Sequence, residues 1–201
     1  MFMKKTKKEL KLFLKIDFIM NFGDYSMKSR ISKFLSGDLI SRYLKALRKA
    51  EYFSLKRSFI SLLYKKKLKK LSYKTGIQLA INVFGYGLVL PHHGTIVVGS
   101  GNKIGNYCVL HTSTCITSGN KEIGDFFYLS TGGKVIKDIK IADSVSVGAN
   151  SVLNKDANHP NSFYAGMPAK YVKDSPSWPF RDGQKYIERL KKCESIINKK
   201  C

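Results

Sequence analysis

Acidic residues are scarce in this 201-residue chain: 14 Asp and Glu stand against 36 Lys and Arg, a formal net charge of +22. Such a field attracts nucleic acid, an anionic membrane surface or a polyanionic substrate, and charge alone does not choose among them. A solvated, lysine-rich helical face is the bland alternative. Cysteine is also sparse. Cys108, Cys115, Cys193 and Cys201 form no C-x-x-C pair, and no histidine sits at zinc-finger spacing, which excludes a disulfide framework and a structural zinc site. Free thiols in a reducing cytosol fit this usage. Long apolar runs are missing too: the stretch from Leu10 to Phe22 is broken by Lys11, Lys15 and Asp17 and is too short to span a bilayer. The same breaks spoil it as a secretion signal, and no small-x-small cleavage site follows the basic start Met1 to Lys8. The expected location is cytoplasmic.

What is present suits a folded chain. Hydrophobic residues at 43% and aromatics at 12% supply a core and exclude global disorder. The charge is uneven, with 21 Lys and Arg against 5 Asp and Glu in residues 1–75, and 15 against 9 in residues 76–201. From Ile40 to Leu71 the apolar residues Ile40, Tyr43, Leu44, Leu47, Tyr52, Leu55, Phe59, Leu62 and Leu63 recur at helical spacing, with lysines on the other faces. Ser36-Gly37-Asp38 reads as a break and cap before this stretch, and Gly76 as its end. The N-terminal third is thus helical. Stripes at this spacing usually pack on a neighbouring helix, although helices this basic suit a membrane surface as well.

Beyond Gly76 the period changes to six. Val98, Ile104, Leu110 and Ile116 are six apart, and after one seven-residue step Ile123, Leu129, Val135, Ile141, Val147 and Leu153 continue the series. Helices step by three and four and alternating strands by two, so neither element explains ten aliphatics in this register. The pattern is a hexapeptide repeat, in which three short strands and their turns close one coil and the aliphatics stack inside. The extra residue before Ile123 is expected to bulge at Ser118-Gly119-Asn120-Lys121.

Three segments, Pro91-His92-His93-Gly94-Thr95-Ile96-Val97-Val98-Gly99, Ser146-Val147-Gly148-Ala149-Asn150-Ser151-Val152-Leu153 and Ala165-Gly166-Met167-Pro168-Ala169-Lys170, resemble the hexapeptide-repeat acyltransferases. The nearest branch is similar to the serine O-acetyltransferase-like enzymes, including those encoded with bacterial capsule and lipopolysaccharide genes. The resemblance implies an α+β chain: a basic helical segment over 1–75, a left-handed parallel β-helix over 76–172 and a C-terminal tail with a helix over 173–201. It also implies a homotrimer that binds acetyl-CoA between subunits, and no metal. The implied chemistry is direct acetyl transfer, in which a histidine takes the proton of an acceptor hydroxyl.

Matched residue by residue, the family's base falls on His92, with His93 and His111 as the other catalytic candidates. Counting back six from Val98 puts His92 on an inward slot and His93 one coil before His111, so either the register relaxes near Pro91 or His93 is the base. The loop residue His159 reads as a turn. The family's coenzyme contacts fall on Thr131, Gly132, Gly148 and Ala149, with Lys134 and Lys170 for phosphates. The family's aspartate partner of the base falls on Gln78, and its charged serine-binding positions fall on Pro91, Gly119 and Asn120. Asn82, Tyr86, Asn120 and Tyr128 are the candidate acceptor contacts. The expected function is therefore O-acetylation of a sugar hydroxyl in capsule, lipopolysaccharide or exopolysaccharide synthesis. Serine O-acetylation is the first alternative, and a non-catalytic basic solenoid on membrane or nucleic acid the second. A saccharide acceptor and peripheral membrane contact through the basic helices are the expected partners; nucleic acid is not.

Overall fold

The computed structural model describes residues 6–56 and 58–199; Cys201 lies outside them. Four helices come first: α1 (Lys7–Phe22), α2 (Met27–Leu35), α3 (Leu39–Leu55) and α4 (Ile60–Thr75). The caps are those the sequence suggests. Asp38 accepts the Ser41 N–H at 2.7 Å at the start of α3, and Gly76 closes α4 with φ 74°, a left-handed conformation that glycine adopts without steric cost. The helical stripe divides, however. Tyr43, Leu44, Leu47 and Tyr52 are buried, whereas Phe59, Leu62 and Leu63 are exposed rather than packed on a neighbouring helix.

The solenoid then runs through β1 (Ile77–Leu79), β2 (Ile96–Val98), β3 (Lys103–Ile104), β4 (Val109–Leu110), β5 (Thr114–Ile116), β6 (Glu122–Ile123), β7 (Tyr128–Leu129), β8 (Lys134–Val135), β9 (Lys140–Ile141), β10 (Val145–Val147) and β11 (Val152–Leu153). It ends in the antiparallel pair β12 (Ser162–Gly166) and β13 (Ala169–Asp174), followed by α5 (Trp178–Arg181) and α6 (Gln184–Asn198). Three parallel sheets form its sides: β1-β2-β5-β8-β11 on the first, β3-β6-β9 on the second and β4-β7-β10-β12 on the third. All ten aliphatics of the six-residue series point inward and are at most 5% exposed. They form one core with Tyr43, Leu44 and Leu47 of α3 and Leu68 and Leu71 of α4, so helices and solenoid are packed together. The extra residue before Ile123 lies where the loop was expected. Lys121 folds its side chain inside that corner, donating to the carbonyls of Thr117 at 3.0 Å and Ser118 at 3.3 Å.

The three sides have different outer surfaces. The second carries the exposed ion pairs Lys103–Glu122 and Glu122–Lys140. The third is covered by α1, α5 and α6, which bury Ile16, Ile19, Met20, Trp178 and Leu190 against Val89, Tyr107 and Val109. A buried ion cluster seats the first coil on the helices. Arg48 of α3 holds Asp17 of α1 at 2.6 Å and Glu51 at 3.2 Å, and Asp17 accepts the N–H groups of Gly87 and Leu88.

Candidate active site

The corner from the third sheet to the first positions the histidines. In the second coil this corner is short, with Leu110 and Ile116 six residues apart. In the first coil the inward slot above Leu110 belongs to Leu90, beside the Val89–Val109 bridge, and not to His92. Leu90 precedes Val98 by eight residues, so this corner holds two extra residues and His92 and His93 are both exposed. This corrects the backward count of six, and Pro91 gives the reason. It has no N–H to continue a ladder and so ends the strand. Asn21 of α1 fixes the approach, donating to the Leu88 carbonyl at 2.8 Å and accepting the Leu90 N–H at 3.0 Å.

Equivalent corners stack below. The Gly132 N–H donates to the Thr112 carbonyl at 3.0 Å and the Asn150 N–H to the Thr131 carbonyl at 2.9 Å, so one edge carries His92, His93, His111, Thr131, Gly132, Gly148 and Ala149 in succession. Thr131 and Ala149 are exposed on this edge, with buried Gly132 and Gly148 beside them. A Cβ on Gly148 would stand 2.9 Å from the Phe163 ring, so glycine there keeps the edge close-packed. Small residues at these corners let an extended chain approach the edge closely. Lys134 lies exposed on β8, its Nζ on the Gly132 carbonyl at 3.0 Å, and Lys170 is exposed on β13 opposite Ala165.

His111 is half-buried and packs its ring on Tyr128 with centroids 5.0 Å apart. Burial, then the neighbouring charge of His92, pushes its pKa below the ordinary histidine value, Asp182 opposing and Arg181 adding to the fall. Neutral imidazole is the form favoured at neutral pH. Arg181 lies over the Tyr128 ring at 4.4 Å, donates to Ser146 Oγ at 2.8 Å and pairs through Nε with Asp182 at 2.8 Å. Burial, followed by the charge of Asp182, raises the Tyr128 phenol.

Of the four candidate acceptor contacts, only Tyr128 adjoins the histidines. Asn82 gives its N–H to Glu51, Tyr86 stacks edge-on with Phe13 and Tyr107, and the Asn120 N–H is held by Asp138. The geometry of a triangular coil explains this. A coil is about eighteen residues, so Tyr128, seventeen after His111, lies one coil below it, whereas Asn82 and Asn120 fall at another corner. His159 sits in an exposed loop near Asp174 at 3.6 Å. Sequence reasoning missed Arg181 and Asp182. The available signal was Trp178, the one tryptophan, which is buried and donates to the Tyr107 carbonyl at 2.8 Å, anchoring the turn that carries the pair. Among the described residues no cluster of three or more His, Cys, Asp or Glu is arranged to hold a metal, and no helix is long and apolar enough to cross a membrane.

No protein-family model matches the chain. Among curated proteins, a serine acetyltransferase of Staphylococcus aureus is 31% identical over 108 residues, covering 49% of this chain and 50% of that one. Serine acetyltransferase 3, mitochondrial, of Arabidopsis thaliana is 32% identical over 101 residues, covering 46% of this chain and 26% of that one. The matches thus span half or less of the relatives' length. Among solved structures, a serine acetyltransferase in complex with CoA superposes with a TM-score of 0.63 at 17% identity, covering 80% of this chain and 68% of that one. A serine O-acetyltransferase from Brucella melitensis gives 0.68 at 19% identity, covering 84% and 71%. Over about half its length the chain is similar in sequence to serine acetyltransferases. Its helices and parallel solenoid share the fold of those structures, and the relatives named carry the name of serine rather than polysaccharide enzymes.

Proposed function

We propose that this protein is an acetyl-CoA-dependent O-acetyltransferase of serine acetyltransferase type, with the hydroxyl of a small amino acid such as L-serine as acceptor. The observation that carries the reading is the single edge on which His92, His111, Gly132 and Gly148 are stacked. His92, exposed at the wide corner, takes the hydroxyl proton as the oxygen attacks the thioester carbonyl. The tetrahedral intermediate collapses with loss of the CoA thiolate, to which His92 returns the proton. Thr131, Gly132, Gly148 and Ala149 carry the pantetheine arm, and Lys134 and Lys170 receive phosphates.

This reading replaces the sugar expected from the sequence for two reasons. The relatives named are serine enzymes. In addition, Arg181 packs on the Tyr128 ring that His111 also touches and is paired with Asp182, a cation and a carboxylate that a zwitterion's two charges would engage. A sugar hydroxyl of capsule, lipopolysaccharide or exopolysaccharide remains the second reading, favoured by uncharged Pro91, Gly119 and Asn120 at the positions implied for serine contacts. We further propose a homotrimer formed through the first sheet. Its outward row runs Gln78, Val97, Cys115, Lys134 and Val152, of which Val97, Cys115 and Val152 are half-buried and Gln78 and Lys134 exposed, while the other two sides carry ion pairs or helices. The test is CoA-thiol release with L-serine against nucleotide-linked and lipid-linked sugars. Serine should give the highest kcat/KM, and His92→Ala should lower kcat about a hundredfold or more while leaving CoA binding intact. A sugar exceeding serine promotes the second reading, and an active His92→Ala beside an inactive His93→Ala moves the base.

A further inference from the structure

α2 and the start of α4 carry none of the residues assigned above to acetyl transfer. Met27, Ile31, Phe34 and Leu35 recur at i, i+4, i+7 and i+8 on α2 and are 50–77% exposed, and α2 buries none of its residues. Phe59, Leu62 and Leu63 add a second exposed apolar group. Single exposed leucines need no explanation, but a stripe along one helix does.

A cleft between these helices, α1 and α3 is lined by Arg30, Lys33, Arg42, Lys45, Lys49 and Lys67 as well as Phe34 and Tyr64. Acidic compensation is sparse: Asp17, which also lines it, is bound by buried Arg48, and Asp38 pairs with Lys33 at 3.5 Å. Burial, then the charges of Lys49, Arg30 and Lys67, holds the Lys45 ammonium below its ordinary pKa. Cations crowded in this way are relieved by a bound anion. Three occupants compete for an apolar stripe rimmed by cations. A second copy would bring 21 Lys and Arg against another 21, with only 5 acids on each side to offset them. Nucleic acid would satisfy the cations but leave aliphatic Met27, Ile31, Leu35, Leu62 and Leu63 without a stacking partner. An anionic bilayer satisfies both groups, with phosphates for the cations and acyl chains for the stripe.

We propose that α2 and the N-terminal end of α4 form a docking surface for an anionic lipid bilayer, with headgroup phosphates held in the Arg30–Lys45–Lys49–Lys67 cleft and Phe34, Leu35 and Leu62 dipping among the acyl chains. The full chain is mixed with vesicles of phosphatidylcholine alone or with about 30% phosphatidylglycerol, and sedimented. Binding is expected only to the anionic vesicles, falling as salt rises. Phe34→Ser with Leu35→Ser should weaken it about tenfold or more, and Lys45→Gln with Lys49→Gln by a similar factor, while CoA-thiol release in vesicle-free buffer stays unchanged. Free inorganic phosphate at millimolar concentration should not displace the protein. Equal binding to both vesicle types, or none to either, overturns the proposal. So does a doubling of assembly mass on concentration that Phe34→Ser with Leu35→Ser abolishes, because a second copy then covers the stripe.

Discussion

Replacing Arg48 by methionine tests whether the buried ion cluster seats the first coil on the helices. The Arg48 side chain is fully buried and holds Asp17 through both Nε at 2.6 Å and Nη2 at 3.2 Å, Glu51 at 3.2 Å, and the carbonyls of Phe84 at 3.2 Å and Gly85 at 2.5 Å. Methionine fills similar volume but leaves two carboxylates without their cation. Asp17 keeps the N–H groups of Gly87 and Leu88, and Glu51 keeps that of Asn82, so each carboxylate retains part of its solvation. Losing one partner of a buried pair costs about 3–5 kcal/mol. For a chain of this size that lowers Tm by roughly 6–20 °C, read by circular dichroism at matched protein concentration. Lys103→Met removes the exposed Lys103–Glu122 contact at 3.1 Å and serves as control, with an expected cost of about 1 kcal/mol or less. Arg48→Lys, which keeps the charge but not the fork, should fall between the two. An Arg48→Met protein no less stable than Lys103→Met would refute the reasoning.

Two further outcomes follow from the histidine edge. Arg181→Ala and Asp182→Ala should each raise KM for serine about tenfold or more with a smaller change in kcat, since the proposed reading gives both groups to acceptor recognition and neither to the thioester; unchanged KM in both removes them from recognition. For His111 the folded pKa lies below the unfolded value of 6.5, so the unfolded chain takes up the proton first as pH falls. Stability present above about pH 6.5 is therefore lost as pH drops toward the folded value. His111→Gln should flatten the urea midpoint between about pH 7.5 and 5.5, and an unchanged slope would contradict the assignment.

The solenoid was legible because its core is periodic. Every inward slot from Val98 to Leu153 is filled by Ile, Leu or Val, and burial follows the spacing residue by residue. The histidine corner was less legible, because counting by six assumes that no corner holds extra residues; the first coil places two there, after a proline. Phe59, Leu62 and Leu63 mark another boundary of pattern reading. Helical spacing reveals an apolar stripe but not what covers it. Arg181 and Asp182 were out of reach because they lie seventy residues from His111, on a turn outside the repeat, and reach the edge only through the docking of Trp178.

That separation bears on the acceptor. The repeat supplies the histidines and the small-residue edge, which in the proposed reaction would act on the thioester and its attacking oxygen whatever molecule carries that oxygen. The charges that would recognise an amino acid come instead from the α5 turn, held by Trp178 below and by Ser146 and Tyr128 across the third sheet. A zwitterion offers two charged hydrogen-bonding groups, and charge-assisted contacts are the stronger ones, so a turn bearing both signs favours it over a neutral sugar. The cost of that arrangement is internal pairing: Arg181 and Asp182 already hold each other at 2.8 Å, and each is about three-quarters buried. Binding of serine would therefore exchange one ion pair for two. Such an exchange is favourable only where the new pairs are shielded from water, and half-buried His111 and Tyr128 are the side chains that would exclude it.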